Sequence, residues 1–351
     1  MPPIRVLVVD DSSVVRRTLK TVLSSDPGIE VLTPAIDGKE GLEFAERDKP
    51  DLVILDVDMP RMNGLEVLAA LKQRTPEMPV IMFSSLVQKG SVITLDAISL
   101  GADEYYCKPS TTGAEETIEL LKRELLPRVH SCVKKNLSTS GFWKINLPPR
   151  GGPKPAPEKK VLPGVFAIGV SAGGPEALKN LFSILPPIPV PGLIVQHMPP
   201  EFTKSLAEFL GSQTRHPVVE AKHGDQLVPG KFLLAPGNFH MVVEKGTPNF
   251  VSLNQGPEEN FCRPAVDPML RSVAKIYGAA SLVTILTGMG QDGLNGCKEI
   301  SKVGGRIFVQ DQASSVVWGM PGIVYKEGLA EEALPLDALA STITAVLSGN
   351  K

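Results

Sequence analysis

Cysteine is scarce in this chain: the four present, Cys107, Cys132, Cys262 and Cys297, are scattered and form no C-x-x-C pair. That leaves no disulfide framework or zinc-type spacing to read and fits reduced thiols in a cytosolic protein. A surplus of charge is missing too. Lys and Arg number 36 against 38 Asp and Glu, a net charge of −2, which gives no electrostatic argument for nucleic acid or for an anionic membrane surface. No uninterrupted apolar run is long enough to span a bilayer. Met1-Pro2-Pro3 leads straight into a strand-like run, without the cationic and apolar regions of a secretory signal. The expectation is a cytoplasmic protein with no membrane insertion and no nucleic-acid partner. What remains, 42% hydrophobic and 21% charged over 351 residues, is the balance of a soluble globular chain with two domains or three.

From Ile4 to about Leu126 the pattern alternates strand and helix. Ile4–Val9 reads as a buried strand ending in Asp10-Asp11. Ser12 or Ser13 then caps a helix with Val14, Val15, Leu19 and Val22 on its apolar side. Further strands are expected at 30–33, at 51–55 closing on Asp56, at 79–83 closing on Ser84-Ser85, and at 103–107 closing on Lys108-Pro109. Alternating units of this kind give a doubly wound parallel sheet with its ligands at the carboxyl ends of the strands. Asp10, Asp11, Asp56, Ser84 and Lys108 therefore share one rim. Three carboxylates at one point repel unless a divalent cation lies among them, and oxygen-only ligation suits Mg²⁺. The Lys108 ammonium and Ser84 hydroxyl suit a phosphoryl group beside it, with Asp56 as the carboxylate that takes the phosphoryl. A solvated acidic rim paired to a lysine is the plainer alternative.

With Asp10-Asp11-Ser12, Leu55-Asp56-Val57-Asp58-Met59-Pro60, Phe83-Ser84-Ser85 and Lys108-Pro109, this half resembles the response-regulator receiver domain. The resemblance implies a flavodoxin-like fold, phosphorylation at Asp56, and a metal held by Asp11, Asp56 and the backbone carbonyl of Asp58. It has Asp10 acting through water, Ser84 moving onto the phosphoryl group, and Tyr105 in the aromatic switch position.

Between about 127 and 162 the pattern breaks down, and the Pro-, Gly- and Lys-rich stretch 146–160 reads as an extended spacer. Phe142 and Trp143 would anchor it, the alternative being a contact with a partner. From 163 to 351 strand and helix alternate again. Val165–Val170 is a buried strand that ends in Ser171-Ala172-Gly173-Gly174, with Pro175 opening a helix. Gly192–Gln196 ends in His197, and 281–286 leads into Thr287-Gly288-Met289-Gly290-Gln291-Asp292. The stretch 218–254, broken by Pro-Gly and Gly-Thr-Pro turns, reads as antiparallel hairpins inserted in the α/β unit.

The turn at Ser171, taken alone, suits a phosphate-binding turn or a packing turn as well as a nucleophile. His197 and Asp292 on matching strand ends change that, because serine catalysis needs a hydroxyl, an imidazole that takes its proton, and a carboxylate that fixes the imidazole. Of the five histidines, His130 falls in the linker region, His216 precedes a proline, and His223 and His240 fall in the hairpin stretch; only His197 ends a parallel strand. Gly169-Val170-Ser171-Ala172-Gly173 also fits the nucleophile elbow of the α/β-hydrolases. That fold orders its triad serine, acid, histidine, whereas here His197 precedes Asp292. A convergent triad on another doubly wound sheet is expected, with activity declining as His197 protonates near its ordinary pKa of about 6.5.

Ile168-Gly169-Val170-Ser171-Ala172-Gly173-Gly174-Pro175, Gln196-His197-Met198, Thr287-Gly288-Met289-Gly290-Gln291-Asp292-Gly293 and the stretch Gln310 to Pro321 resemble the chemotaxis protein-glutamate methylesterase family. The resemblance implies hydrolysis of glutamate methyl esters on methyl-accepting chemoreceptors and deamidation of certain glutamines. Ser171 would attack, His197 would serve as base and then acid, Asp292 would orient His197, and backbone at Met289 would help hold the oxyanion. Ala172 replaces a threonine common in the family, so only a backbone role survives there. The resemblance also implies a chemotaxis histidine kinase as phosphodonor and no cofactor in the hydrolase site. It has the unphosphorylated receiver packing over the triad until Asp56 is phosphorylated. A non-catalytic output module and a serine hydrolase of another protein substrate are the alternatives.

Overall fold

Nearly every apolar, β-branched run that stops at a polar residue is a strand, and the stopping residue lies at its carboxyl end. The computed structural model of the chain describes residues 2–84, 102–109, 113–139 and 161–350. They fall into two units, Met1–Trp143 and Lys144–Lys351. Ser85, Phe142, Trp143 and the spacer 146–160 lie outside the described residues.

In the first unit the order is β1 (Ile4–Val9), α1 (Ser13–Leu23), β2 (Ile29–Val31), α2 (Gly38–Asp48), β3 (Leu52–Leu55), α3 (Gly64–Arg74), β4 (Val80–Ser84), β5 (Glu104–Cys107) and α4 (Ala114–Thr139). The sheet runs β2-β1-β3-β4-β5 with every pairing parallel. The chain winds outward one way from β1 to β2 and the other way from β3 to β5, so the direction reverses between β1 and β3. A crevice opens at such a reversal, beyond the carboxyl ends. Asp10 and Asp56 are the residues that follow those two strands.

Helix α4 corrects the expected break at Pro127, since the helix passes through that residue and ends at Thr139. Leu121, Leu125, Val129, Cys132 and Val133, each at most 9% exposed, continue one apolar stripe at helical spacing past the proline. Burying that stripe offsets the ~3 kcal/mol that an interior proline costs. Arg128 Nε donates to the Glu124 carbonyl at 3.2 Å beside the proline. His130, expected in the linker, sits in this helix and is 2.7 Å from Asp26 Oδ2.

The second unit contains β6 (Val165–Val170), α5 (Gly174–Ile184), β7 (Gly192–Gln196), α6 (Pro200–Gln213), β8 (Val218–Glu220), β9 (Phe232–Leu234), β10 (His240–Glu244), β11 (Phe250–Asn254), α7 (Val266–Tyr277), β12 (Ser281–Ile285), α8 (Leu294–Lys302), β13 (Arg306–Gln310), α9 (Met320–Lys326), β14 (Glu332–Leu334) and α10 (Leu336–Leu347). Its sheet runs β14-β13-β12-β6-β7-β9-β8, again all parallel.

The hairpin reading of 218–254 is correct only for β10 and β11, which pair antiparallel with His240 opposite Asn254. β8 and β9 instead extend the parallel sheet. Phe232, Leu233 and Leu234 are all buried, as in an interior strand covered on both faces, and the Pro-Gly turn before them belongs to a crossover rather than to a hairpin.

β6 opens the unit in sequence but lies at the centre of its sheet. The chain moves from β6 through β7 to β8 and β9, then returns by α7 to place β12 on the other flank of β6. The reversal therefore falls at β6 and β12, whose ends carry Ser171 and the loop to Asp292. Gly169 makes this crossing close: a Cβ there would meet Val266 Cγ1 at 2.6 Å and Ile285 Cδ1 at 3.1 Å, so α7 begins directly against the serine strand.

Candidate functional site

Register brings the serine and histidine together. Val170 on β6 pairs with Gln196 on β7, so the next residues, Ser171 and His197, leave adjacent strand ends, and the His197 N–H donates to the Val170 carbonyl at 3.1 Å. Past Ser171 the chain turns through Gly173 at φ +72° into α5, and the Gly174 N–H closes the turn on the Ser171 carbonyl at 2.9 Å. An L side chain resists that φ, and a Cβ at Gly173 would also meet Val316 Cγ2 at 2.5 Å. Gln196, buried and unassigned from sequence, donates from Nε2 to the carbonyls of Ser171 at 2.9 Å and His197 at 3.1 Å.

The loop after β12 is fastened to the same turn. The Ser171 N–H donates to the Thr287 carbonyl at 2.9 Å, and Thr287 Oγ1 donates to the Ala172 carbonyl at 2.8 Å. Gly288 has no room for a side chain, because a Cβ there would meet Ser171 Cβ at 2.8 Å. Met289 follows, half-buried. The serine N–H is thus committed to the fold, while Ala172 and Met289 flank Ser171 in sequence or across the strand boundary.

Asp292 is buried inside a cage of donors. Its Oδ2 accepts from the Val266 N–H at 2.5 Å and lies 2.7 Å from His197 Nε2. Its Oδ1 accepts from the N–H groups of Asp267 at 3.1 Å and Gly293 at 3.0 Å, and from Asn260 Nδ2 at 3.0 Å. Val266 and Asp267 open α7, so the carboxylate sits on a helix N-terminus, where negative charge is stabilised. Burial alone pushes the carboxyl up; the hydrogen bond from His197, its charge and the two α7 N–H groups outweigh that and hold it below its usual range. Buried Asp267 supports the cage, taking the Gly296 N–H at 2.7 Å and Asn260 Nδ2 at 3.1 Å.

A carboxylate can only accept, so the His197 nitrogen facing Asp292 carries the proton and Nδ1 of the neutral ring is left as the proton acceptor. Cys262 Sγ lies 3.4 Å from that Nδ1. Burial by itself lowers the imidazole pKa, but the bonds to Asp292 and Cys262 prevail and raise it to about 10. The expectation of an ordinary titration near 6.5 is therefore corrected upward. Asn260 and Cys262 were missed from sequence; they lie in a loop with no strand end or motif spacing to mark them.

The other histidines are structural. His216 Nε2 donates to the Leu185 carbonyl at 2.9 Å among Phe182 and Phe232. His240 bonds the Pro257 carbonyl at 2.9 Å and takes the Ala265 N–H at 3.2 Å. His223 Nδ1 takes the Leu253 N–H at 3.3 Å.

In the first unit Lys108 Nζ stands 2.8 Å from both Asp10 Oδ2 and Asp56 Oδ2. Asp10 and Asp56 are buried, Asp11 is exposed, and one carboxylate oxygen from each of the three lies within 4.8 Å of the others. Asp10 Oδ1 takes the Ser12 N–H at 2.8 Å, and Asp56 Oδ1 takes its neighbour Val57 N–H at 2.8 Å. Asp10 Oδ2 is buried without an aligned hydrogen bond despite the nearby Lys108, so the cluster has an oxygen to offer a hard cation. The donor set, carboxylate oxygen only, fits Mg²⁺. Burial pushes the Asp56 carboxyl up, against the opposing pull of Lys108. Ser84 is buried at the end of β4, and its carbonyl takes the Lys108 N–H at 2.8 Å. Tyr105 packs half-buried on the core of this unit, and Asp58 is exposed on the loop after β3. Gly64 lets α3 start against the Asp56 backbone, where a Cβ would collide with the Asp56 carbonyl oxygen.

These features define a class: a parallel sheet whose rim carries an acidic cluster and a lysine, and an α/β unit in which a serine and a histidine leave adjacent strand ends and the histidine meets a caged carboxylate. Family models assign the two halves accordingly, the response regulator receiver domain over residues 6–120 and the CheB methylesterase over residues 166–343. The chain belongs to the CheB methylesterase family. It is 46% identical over 347 residues to the protein-glutamate methylesterase/protein-glutamine glutaminase of Trichodesmium erythraeum, covering 98% of this chain and 99% of that one. It is 44% identical over 348 residues to the protein of the same name from Nocardioides sp., covering 98% and 95%. Among solved structures, the Thermotoga maritima CheB methylesterase catalytic domain matches with a TM-score of 0.52 at 38% identity, over 53% of this chain and all of that domain. Receiver domains use an acidic cluster for Mg²⁺, and Asp10, Asp11 and Asp56 form one here. Among the described residues no helix is long and apolar enough to cross a membrane.

Proposed function

We propose that this chain is a phosphorylation-activated serine esterase that removes methyl groups from glutamate side chains of methyl-accepting chemoreceptors, releasing methanol, and deamidates receptor glutamines. The observation that carries the reading is that Ser171 and His197 leave the ends of adjacent parallel strands, with His197 Nε2 2.7 Å from a fully caged Asp292. It draws further support from the names of relatives that match almost end to end. The hydrolase unit is assigned to 163–351.

Ser171 Oγ attacks the ester carbonyl while His197 Nδ1 takes its proton, and Asp292 stabilises the imidazolium that forms. Backbone N–H groups at Ala172 and Met289 receive the negative charge that develops on the carbonyl oxygen. His197 returns the proton to the departing methanol, and water then releases the glutamate by the same steps in reverse. A glutamine side chain follows the same route with ammonia as the leaving group. Nothing in this scheme needs a cofactor.

In the receiver, Asp56 takes the phosphoryl group from a chemotaxis histidine kinase. Asp11, Asp56 and the Asp58 carbonyl would hold Mg²⁺, with Asp10 reaching it through water, and the ion would supply charge neutralisation for the carboxylates and the incoming phosphoryl group. Lys108 leaves its pairing with Asp56 for a phosphoryl oxygen, Ser84 donates its hydroxyl to another, and Tyr105 follows Ser84 inward. The added charge and acceptors bias an equilibrium toward the active esterase.

The test is methanol release from methylated receptor with and without a small acyl phosphate and Mg²⁺, alongside labelling of Ser171 by a fluorophosphonate. Release that rises with the phosphodonor, and labelling confined to Ser171, are expected. No release together with no labelling would refute the assignment.

A further inference from the structure

His197 has one nitrogen to offer a nucleophile, and a second side chain already faces it. Asp292 holds Nε2 at 2.7 Å, so proton traffic must pass through Nδ1, and Cys262 Sγ stands 3.4 Å from that atom. Thiol, imidazole and carboxylate are thus in hydrogen-bonded order, the arrangement of an activated nucleophile with its base and orienting acid. Cys262 is half-exposed, whereas Cys132 and Cys297 are buried. The sulfur is also held in place. Glu259 and Cys262 exchange backbone hydrogen bonds at 3.2 and 3.0 Å, and Asn260 between them is fixed to Asp267 and Asp292.

We infer that Cys262 is an oxidation site through which a peroxide silences the esterase. This rests on His197 being the base for Ser171. A sulfur electron pair attacks one oxygen of hydrogen peroxide, so an S–O bond forms as the O–O bond breaks. The thiol proton passes by way of Nδ1 to the departing hydroxide and leaves as water. Cys262 becomes a sulfenic acid, oxidised by two electrons, and the peroxide is reduced by two. The new S–OH stands against Nδ1 and occupies the nitrogen that must take the Ser171 proton. A thiol reductant restores the cysteine, because the sulfenic state is reversible. Among the described cysteines, this one is distinguished by a base within hydrogen-bond reach and by access to solvent.

The full-length chain is treated with hydrogen peroxide, and methanol release is compared with each sample's own untreated rate, before and after dithiothreitol. Sulfenic acid is mapped with dimedone. The wild type is expected to lose at least tenfold and to recover with reductant, with dimedone on Cys262, while Cys262→Ala and Cys262→Ser hold their untreated rates. In a separate arm that needs no substrate, carbamidomethylation of Cys262 by iodoacetamide at pH 7 is expected to slow about tenfold in His197→Ala. Equal peroxide losses in wild type and Cys262→Ala, or dimedone-labelled Cys262 with undiminished methanol release, would overturn the inference. So would equal alkylation rates with and without His197. If untreated wild type released no methanol, the esterase reading would fail by itself, and the alkylation arm would still judge the pairing of Cys262 with His197.

Discussion

Replacing Asp292 with asparagine tests the hydrolase site at its most constrained point. Five donors converge on the carboxylate: the Val266 N–H and His197 Nε2 on Oδ2, and Asp267, Gly293 and Asn260 on Oδ1. The three bonds on Oδ1 require the amide oxygen there, which places the new NH₂ where Oδ2 was. That group can donate to His197 only if Nε2 gives up its own proton, and the ring then carries its proton on Nδ1. The imidazole is left in the tautomer that cannot accept from Ser171. The same change in other serine triads costs about 10⁴-fold in kcat, or about 5.4 kcal/mol of barrier, and a loss of that order is expected here in methanol release.

The NH₂ also faces the Val266 N–H, and a buried donor left without an acceptor costs ~1–3 kcal/mol of stability. The pH dependence carries the sign. Asp292 raises the His197 pKa, so its contribution to stability is full below about 6.5 and fades as pH rises through about 10. The depressed Asp292 carboxyl contributes above its unfolded value near 3.8 and fades in acid. Urea titrations should find the gap between wild type and Asp292→Asn widest between about pH 4 and 6.5, narrowing on either side. The acid limb of the residual activity should move to lower pH than in the wild type. A variant within tenfold of wild-type turnover, or one with an unmoved acid limb, would refute the reasoning.

Ser171→Ala is expected to lose methanol release by at least about a thousandfold while phosphoryl uptake by the receiver, followed with a radiolabelled acyl phosphate, stays intact. Gly169→Ala should press Val266 away from Asp292; overpacking of this kind costs ~1–3 kcal/mol, and the displaced acid should cost turnover up to about a hundredfold, read by urea unfolding and methanol release on one preparation. Asp56→Asn should abolish stimulation by acyl phosphate and Mg²⁺ without changing the unstimulated rate, which a dose–response series checks.

Much of this was legible from strand ends. Buried runs announce parallel strands, parallel strands deliver their last residues to one rim, and the five receiver residues, Ser171 and His197 stand at or just past such ends, with Asp292 further along the loop after β12. What the sequence concealed is what arrives from elsewhere. Asn260 and Cys262 come from an irregular loop, and only the return of α7 to β6 brings them to Asp292 and His197. β8 and β9 looked like hairpin strands because short apolar runs between Pro-Gly turns look alike whichever way they pair. Pro127 looked like a helix end because its local cost is plain, whereas the offsetting burial of Leu125, Val129 and Cys132 depends on tertiary packing. The raised pKa of His197 likewise follows from two neighbours distant in the chain.

The central place of Val165–Val170 has a consequence for synthesis. It is the first strand of its unit to be made, yet one of its two lateral partners, Ser281–Ile285, is translated more than a hundred residues later. Until then a wholly apolar strand has an open side, available to other chains as readily as to its own, and such late, non-local pairing is slow to form. The carboxylate that completes the site emerges after that same partner, so a nascent chain holds its serine and histidine without an acid, and hydrolytic competence arrives only when the sheet closes.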